Sequence, residues 1–152
     1  MSNLDVIEKN ARENHVPVML EDGMKFLVQY IREHEEIVNI LEIGTAVGYS
    51  AICFSEFLEH NGRIDTIERD NERVNEAKEN IKKAGVEEKI HIYEGDAVEI
   101  LPTLNEKYDV IFIDAAKGKY PFFLKEALRM IEPNGIIFAD NILYKGYVMS
   151  DY

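Results

Sequence analysis

Val110-Ile111-Phe112-Ile113-Asp114, followed by Ala115-Ala116-Lys117, is an apolar run of strand length that stops at an acid. Ile136-Ile137-Phe138-Ala139-Asp140-Asn141 repeats the arrangement. A strand buried on both faces of a parallel sheet reads as such a continuous apolar run, without the alternation of a half-solvated strand. In open α/β sheets, ligands bind beyond the carboxyl ends of the strands. The two runs therefore bring Asp114, Asp140 and Asn141 to one crevice. Two carboxylates and an amide are hard oxygen donors, and three of them leave room for substrate on Mg²⁺ or a similar divalent cation.

Outward from these runs, strands alternate with helices. Asn39 to Ile43 reads as a first strand ending at Gly44, and Tyr49 to Leu58 as a helix with Ile52, Phe54, Phe57 and Leu58 apolar. Arg63 to Ile67 is a second strand, and Asp70 to Ala84 a helix with Val74, Ala77 and Ile81 on one side and Gly85 as its stop. Lys89 to Tyr93 is a third strand, Ala97 to Leu104 a short helix, and Tyr120 to Ile131 a helix that tolerates Pro121 in its first turn. Pro133-Asn134-Gly135 reads as a turn before the fifth strand. Helical patterns from Leu4 to Asn14 and Asp22 to His34, split by Pro17, precede the first strand. The alternation predicts a mainly parallel sheet with helices on both faces. It forms a single domain, 1–152, in which a helical segment (1–37) precedes the α/β core (38–152).

The 152 residues suffice to bury a core, and 46% hydrophobic with 30% charged content is ordinary for a globular protein. No apolar stretch has the length of a membrane span, and the amino terminus lacks the basic-then-apolar order of a signal peptide. A lone cysteine, Cys53, cannot form an internal disulfide, and its place predicts the buried face of a helix. These features suit the cytoplasm and no membrane. A net charge of −12 disfavours non-specific nucleic-acid binding, though Lys117, Lys119 and Lys145 lie close in sequence to the metal-ligand candidates.

Leu41-Glu42-Ile43-Gly44-Thr45-Ala46-Val47-Gly48-Tyr49-Ser50 is the candidate cofactor turn. Gly44 and Gly48 allow a tight turn and close approach of a ligand. The middle glycine of the dinucleotide fingerprint is missing, which argues against a pyrophosphate over this turn. Glu68 ends the second strand where such folds grip a ribose diol. The competing reading is a solvated strand end, with Asp70 as helix cap. Gly95-Asp96-Ala97 after the third strand suits an adenine contact, with Asp96 as a helix N-cap the close competing reading. For the metal candidates the plain readings are a helix cap for each Asp and a turn for Asp-Asn. His15, His34, His60 and His91 have no metal-ligand spacing, and Tyr120, Phe122 and Phe123 read as helix packing.

Taken together, Leu-Glu-Ile-Gly-Thr-Ala-Val-Gly-Tyr-Ser, Ile-Glu-Arg-Asp, Gly-Asp-Ala, Phe-Ile-Asp-Ala-Ala-Lys and Ala-Asp-Asn-Ile-Leu resemble the metal-dependent class I O-methyltransferases, which include catechol and caffeoyl-CoA O-methyltransferases. The entry segment His15 to Met19 is most similar to the bacterial group containing tRNA 5-hydroxyuridine methyltransferases. The resemblance implies a Rossmann-like fold and S-adenosylmethionine as cofactor. Carried over by position, Gly44 and Ser50 line the methionine part, Glu68 holds the ribose and Asp96 and Ala97 flank the adenine. Met19 covers the site, and Asp114 touches cofactor and metal. Asp114, Asp140 and Asn141 are then the metal ligands and Lys117 the general base. A cation with three protein ligands can take two adjacent substrate oxygens, so the expected substrate is a catechol-like molecule or 5-hydroxyuridine in tRNA. A homodimer is expected. Family members continue with a helix and a β-hairpin that complete a seven-stranded sheet. The resemblance thus implies a fragment lacking that hairpin, and leaves open a non-catalytic cofactor-binding module.

Overall fold

The computed structural model describes residues 21–44, 48–58, 61–113 and 120–139. Within them run α1 (Glu21–Glu33), β1 (Asn39–Ile43), α2 (Tyr49–Ser55), β2 (Arg63–Glu68), α3 (Asn71–Ala84), β3 (Ile90–Glu94), α4 (Ala97–Ile100), a 3₁₀ turn (Leu101–Thr103), β4 (Tyr108–Ile113), α5 (Tyr120–Met130) and β5 (Ile131–Ala139). The five strands form one sheet in the order β3-β2-β1-β4-β5, and every pairing is parallel. The chain starts at the centre, winds outward through β2 and β3, then returns to the other side of β1 for β4 and β5. The order therefore reverses between β1 and β4, where Ile43 is in register with Ile113.

Alternation along the strands splits the core in two. Ile40, Ile64, Ile90, Val110, Phe112 and Phe138 face α1, α2 and α3, where Leu27, Ile31, Ile52, Phe54 and Ile81 meet them. Leu41, Ile43, Ile67, Ile111 and Ile113 face the opposite way, toward Leu101, Leu104, Phe123, Ala127 and Met130. Truncating one such buried side chain to alanine costs about 2–5 kcal/mol.

Local signals set the helix ends. Asp70 caps α3 by accepting from the backbone N–H groups of Glu72 (3.0 Å) and Arg73 (3.1 Å), a contribution of about 1 kcal/mol. Gly85 ends it at φ 73°, with its N–H on Lys82 O and the Val86 N–H on Ile81 O, the Schellman arrangement. The Lys89 ammonium closes the far end of α2 by donating to the carbonyls of Ser55 (3.2 Å) and Leu58 (3.0 Å).

Four expectations need correction. The helix expected from Tyr49 to Leu58 stops at Ser55, so Phe57 lies past its end, partly exposed, under the Arg32 guanidinium. Cys53 is half-buried at the margin of the α2-side core rather than on its buried face. The stretch from Ala97 to Leu104 divides after Ile100 into α4 and the 3₁₀ turn, which holds Pro102. Pro133-Asn134-Gly135 does not separate β5 from the residues before it. It sits inside β5 as a bulge, because the register jumps from Tyr108↔Ile131 to Val110↔Ile136.

Candidate functional site at the carboxyl ends of the strands

Described residues at the carboxyl ends of β1, β2 and β3 form the candidate site. β1 runs into Gly44, whose φ of 103° is accessible to glycine and strained for other residues. Its N–H donates to Ile67 O on β2 at 2.9 Å. β2 ends at Glu68, and Glu68 O accepts from the Gly95 N–H just past β3 at 2.9 Å. Gly44, Glu68 and Gly95 are thus linked in steps across three neighbouring strand ends, beside the reversal between β1 and β4. At Gly95 the φ of 149° strains other residues, and a Cβ there would sit tightly against Ile100 Cδ1, at 3.0 Å. Gly48 (φ 88°) opens α2, and Ile52 N–H closes the first turn on its carbonyl.

Glu68 is buried, at 8% exposure, so the solvated-strand-end reading fails. Its Oε2 accepts from the backbone N–H groups of Arg69 and Asp70, each at 3.1 Å. These bonds hold the carboxylate against its own turn. Asp70 is the helix cap, as expected. Asp96 is also a cap, accepting from the Val98 N–H at 2.9 Å, while its other oxygen lies 3.7 Å from Arg69 Nη1. The cap reading of Asp96 is therefore correct, and its outer oxygen faces the β2 end. Ala97 begins α4 and is half-buried.

Ser50, in the first turn of α2, is buried and donates its hydroxyl hydrogen to Glu42 Oε2. Glu42 is fully buried on β1, and its Oε1 accepts from Thr66 Oγ1 at 2.8 Å. Glu42 and Thr66 are register partners on adjacent strands. The sequence pattern does not single out Glu42 as a site residue. The one signal it carries is an acid inside the apolar run Ile40-Leu41-Glu42-Ile43, on the face shared with Ile40.

Met19, Asp114, Lys117, Asp140 and Asn141 lie outside the described residues, as does the Leu4–Asn14 helix pattern. The structure establishes the chain's approach to the two acids: β4 and β5 are parallel neighbours with Ile113 opposite Ala139. Asp114 and Asp140 are the next residues of each. Among the described residues no group of His, Cys, Asp and Glu is placed to hold a metal ion, and no helix is long and apolar enough to cross a membrane.

Comparison with known proteins gives this arrangement relatives. A catechol O-methyltransferase of Niastella koreensis is 40% identical over 131 residues, covering 84% of this chain and 59% of the relative. Tapetum-specific methyltransferase 1 of Arabidopsis thaliana is 37% identical, covering 90% of this chain and again 59% of the relative. The chain thus spans less than two thirds of the length of these curated relatives. Among solved structures, the O-methyltransferase TomG of Streptomyces achromogenes, in complex with S-adenosylmethionine, superposes with a TM-score of 0.85 at 30% identity, over 98% of this chain and 69% of that one. An O-methyltransferase of Bacillus cereus bound to S-adenosylhomocysteine gives 0.85 at 29% identity, over 99% and 71%. The parallel sheet with helices on both faces is the Rossmann-like methyltransferase core of these neighbours. The O-methyltransferase family model matches residues 4–152, and the chain belongs to that family.

Proposed function

We propose that this chain binds S-adenosylmethionine and serves methyl transfer to a hydroxyl that has a second oxygen beside it. The observation that carries the reading is the stepped line of Gly44, Glu68 and Gly95 beside the sheet's reversal point. Its features fit the cofactor. Gly44 lets a ligand approach the backbone, and Glu68 offers a buried carboxylate, already oriented, where a ribose diol needs an acceptor. Gly44 and Ser50 line the methionine part, Asp96 and Ala97 flank the adenine, and Met19 covers the site. Two structural relatives carry S-adenosylmethionine or its demethylated product.

The donor set Asp114, Asp140 and Asn141 fits a hard divalent cation such as Mg²⁺. The Ile113↔Ala139 register supports this, because it brings two acids next in sequence on adjacent parallel strands. When bound, the cofactor supplies an electrophilic methyl group, and the cation lowers the cost of removing the hydroxyl proton. The chain's residues supply position and proton transfer. Asp114 bridges the cofactor and cation sites. Lys117 Nζ receives the hydroxyl proton as general base. Holding the two reactants in position would supply a large part of the rate.

A cation with three protein ligands leaves positions for two adjacent substrate oxygens, which matches the catechol in the first relative's name. The net charge of −12 favours such a small molecule over a polyanion. The test is methyl transfer from labelled cofactor to catechol, to a caffeoyl thioester and to tRNA bearing 5-hydroxyuridine, each with Mg²⁺ and with chelator. Transfer to a catechol-type acceptor that chelator abolishes supports the reading. Transfer confined to tRNA would replace the substrate. Transfer indifferent to chelator would remove the cation.

A further inference from the structure

We propose that the outer edge of β3 is an interface between two copies of this chain, paired antiparallel about a two-fold axis at Ile92. The inference is independent of the cofactor reading. Among the described residues β3 has a single neighbour, β2, so its other side is a sheet edge. The backbone fixes which groups that edge offers. Ile64 N–H donates to Lys89 O at 2.8 Å, and Gly95 N–H donates to Glu68 O at 2.9 Å. Along a strand, residues bonded to one neighbour alternate with residues facing away from it, so Lys89, His91, Tyr93 and Gly95 face β2. Ile90, Ile92 and Glu94 therefore hold their N–H and C=O groups outward. Sheet edges are commonly blunted by a proline or a bulge. β3 has no proline, and its register with β2 runs unbroken from Ile90 to Glu94.

A second copy of the same strand is the occupant these groups fit. With the axis at Ile92, the two Ile92 residues exchange both backbone bonds, and Ile90 does the same with Glu94 of the other copy. Every outward N–H and C=O of the strand then has a partner. The side chains agree with this register. On the α3 side Ile92 meets its own copy. On the other side His91 meets Tyr93 of the second copy, extending the edge-to-face pair these two rings already form at 4.4 Å. Charge agrees as well. At −12 the chain repels its copy over much of its surface, but the groove along this edge is locally balanced. Lys78 and Lys82 of α3 line it together with Glu79 and Glu87. Lys78 pairs with Glu94 at the end of β3. Lys82 lies one helical turn further on, toward the start of the strand, because α3 runs back against it. There it meets Glu94 of the second copy, which stands opposite Ile90.

Sedimentation velocity over a concentration series tests the proposal. The wild-type chain should show a reversible equilibrium between one copy and two. Glu94→Pro removes an outward N–H and the carboxylate while leaving the bonds to β2 in place. It should raise the dimer dissociation constant at least about tenfold. If Glu94→Pro melts below the assay temperature, Glu94→Lys must show the loss instead, since it keeps every backbone group and sets a second ammonium beside Lys82 of the other copy. The register is read separately with Ile92→Cys. Residues exchanging both bonds across an antiparallel pair have Cα atoms about 5.5 Å apart, within disulfide reach. Oxidation in air should therefore join two chains through position 92, as located by mass spectrometry of the linked peptide. A wild-type chain that stays single at every concentration would overturn the proposal. A dimer indifferent to both Glu94 substitutions, which would place the contact on another surface such as the β5 edge, would also overturn it. So would the absence of a link between the two positions 92.

Discussion

The hydroxyl of Tyr108, at the start of β4, donates a 2.7 Å hydrogen bond to Asp65 Oδ2 on β2, reaching past the intervening β1. Asp65 is 1% exposed and also accepts from Arg63, Nε to Oδ1 at 2.9 Å and Nη2 to Oδ2 at 3.1 Å. Three donor groups thus settle one buried charge at the end of the sheet remote from Gly44. Burial, followed by the bond to Asp65, pushes the Tyr108 phenol well above its ordinary value near 10.

The sign of the resulting pH dependence is fixed. A phenol with a raised folded pKa contributes its full stabilisation below the unfolded value. As pH climbs through about 10, unfolded chains ionise first and stability falls. Tyr108→Phe should cost about 1.5–3 kcal/mol at neutral pH, because Asp65 loses a partner. The variant should also show a shallower decline above pH 10. Urea unfolding at neutral and alkaline pH measures both, and an identical alkaline slope in the variant would remove Tyr108 from the account.

Gly135 marks the β5 bulge. A Cβ there would meet Ile131 Cδ1 at 2.7 Å and the Asp109 carbonyl oxygen at 2.8 Å. The second is backbone of the neighbouring strand and cannot turn aside. Gly135→Ala should therefore destabilise by about 1–3 kcal/mol, the cost of overpacking. The Asp109 side chain adds to the sensitivity of this corner, since its Oδ2 accepts from Val38 N (2.9 Å) and Asn39 N (3.0 Å). A urea midpoint matching wild type would show that the bulge yields at no cost.

The contrast between legible and illegible residues has a physical basis. β1, Asn39 to Ile43, is readable to its ends, and β4 nearly so, because continuous apolar runs mark strands buried on both faces. Asp70 and Gly85 are readable because capping and left-handed termination are local chemistry. Glu42, Asp65 and Thr66 are not. Each is a polar residue within a strand, with a partner that comes from another element: α2 for Glu42, β4 for Asp65 beside its neighbour Arg63, β1 for Thr66. A one-dimensional pattern carries no record of that partner. The bulge at Pro133-Asn134-Gly135 reads as a turn for a related reason, since its pairing depends on Tyr108 and Val110. At the site, Glu68 and Gly44 stand out because strand ends are visible in sequence, while the burial of Glu68 is not.

Glu68 gives the most direct test of the cofactor reading. Its Oε2 is anchored on the Arg69 and Asp70 N–H groups, so the carboxylate is oriented before any ligand arrives. Glu68→Ala should weaken S-adenosylhomocysteine at least about tenfold, the loss of a hydrogen bond to a charged acceptor. Because the substitution also strips two backbone donors of their acceptor, some loss of thermal stability should accompany it. Glu68→Gln keeps an oxygen for those donors and separates the two effects. Calorimetry showing unchanged affinity in both variants would take Glu68 out of the site.

The cation reading makes a separate demand on residues after β4 and β5. Asp140 is assigned to the cation alone, whereas Asp114 is assigned to cofactor and cation together. Asp140→Ala should therefore abolish Mg²⁺-dependent turnover and leave S-adenosylhomocysteine affinity within about twofold, since no bond to the cofactor is removed. Asp114→Ala should reduce both. Lys117→Ala should lower turnover by about 10²–10⁴-fold, the usual contribution of a general base, with cofactor affinity unchanged. These three variants are best compared in a chain first shown to be active, by single-turnover methyl transfer alongside calorimetry. Equal behaviour of Asp114→Ala and Asp140→Ala in cofactor binding would break the assigned division between them. Full turnover in Asp140→Ala would remove the cation from the mechanism and leave positioning by the strand-end residues and proton transfer to Lys117 as the chemistry this chain provides.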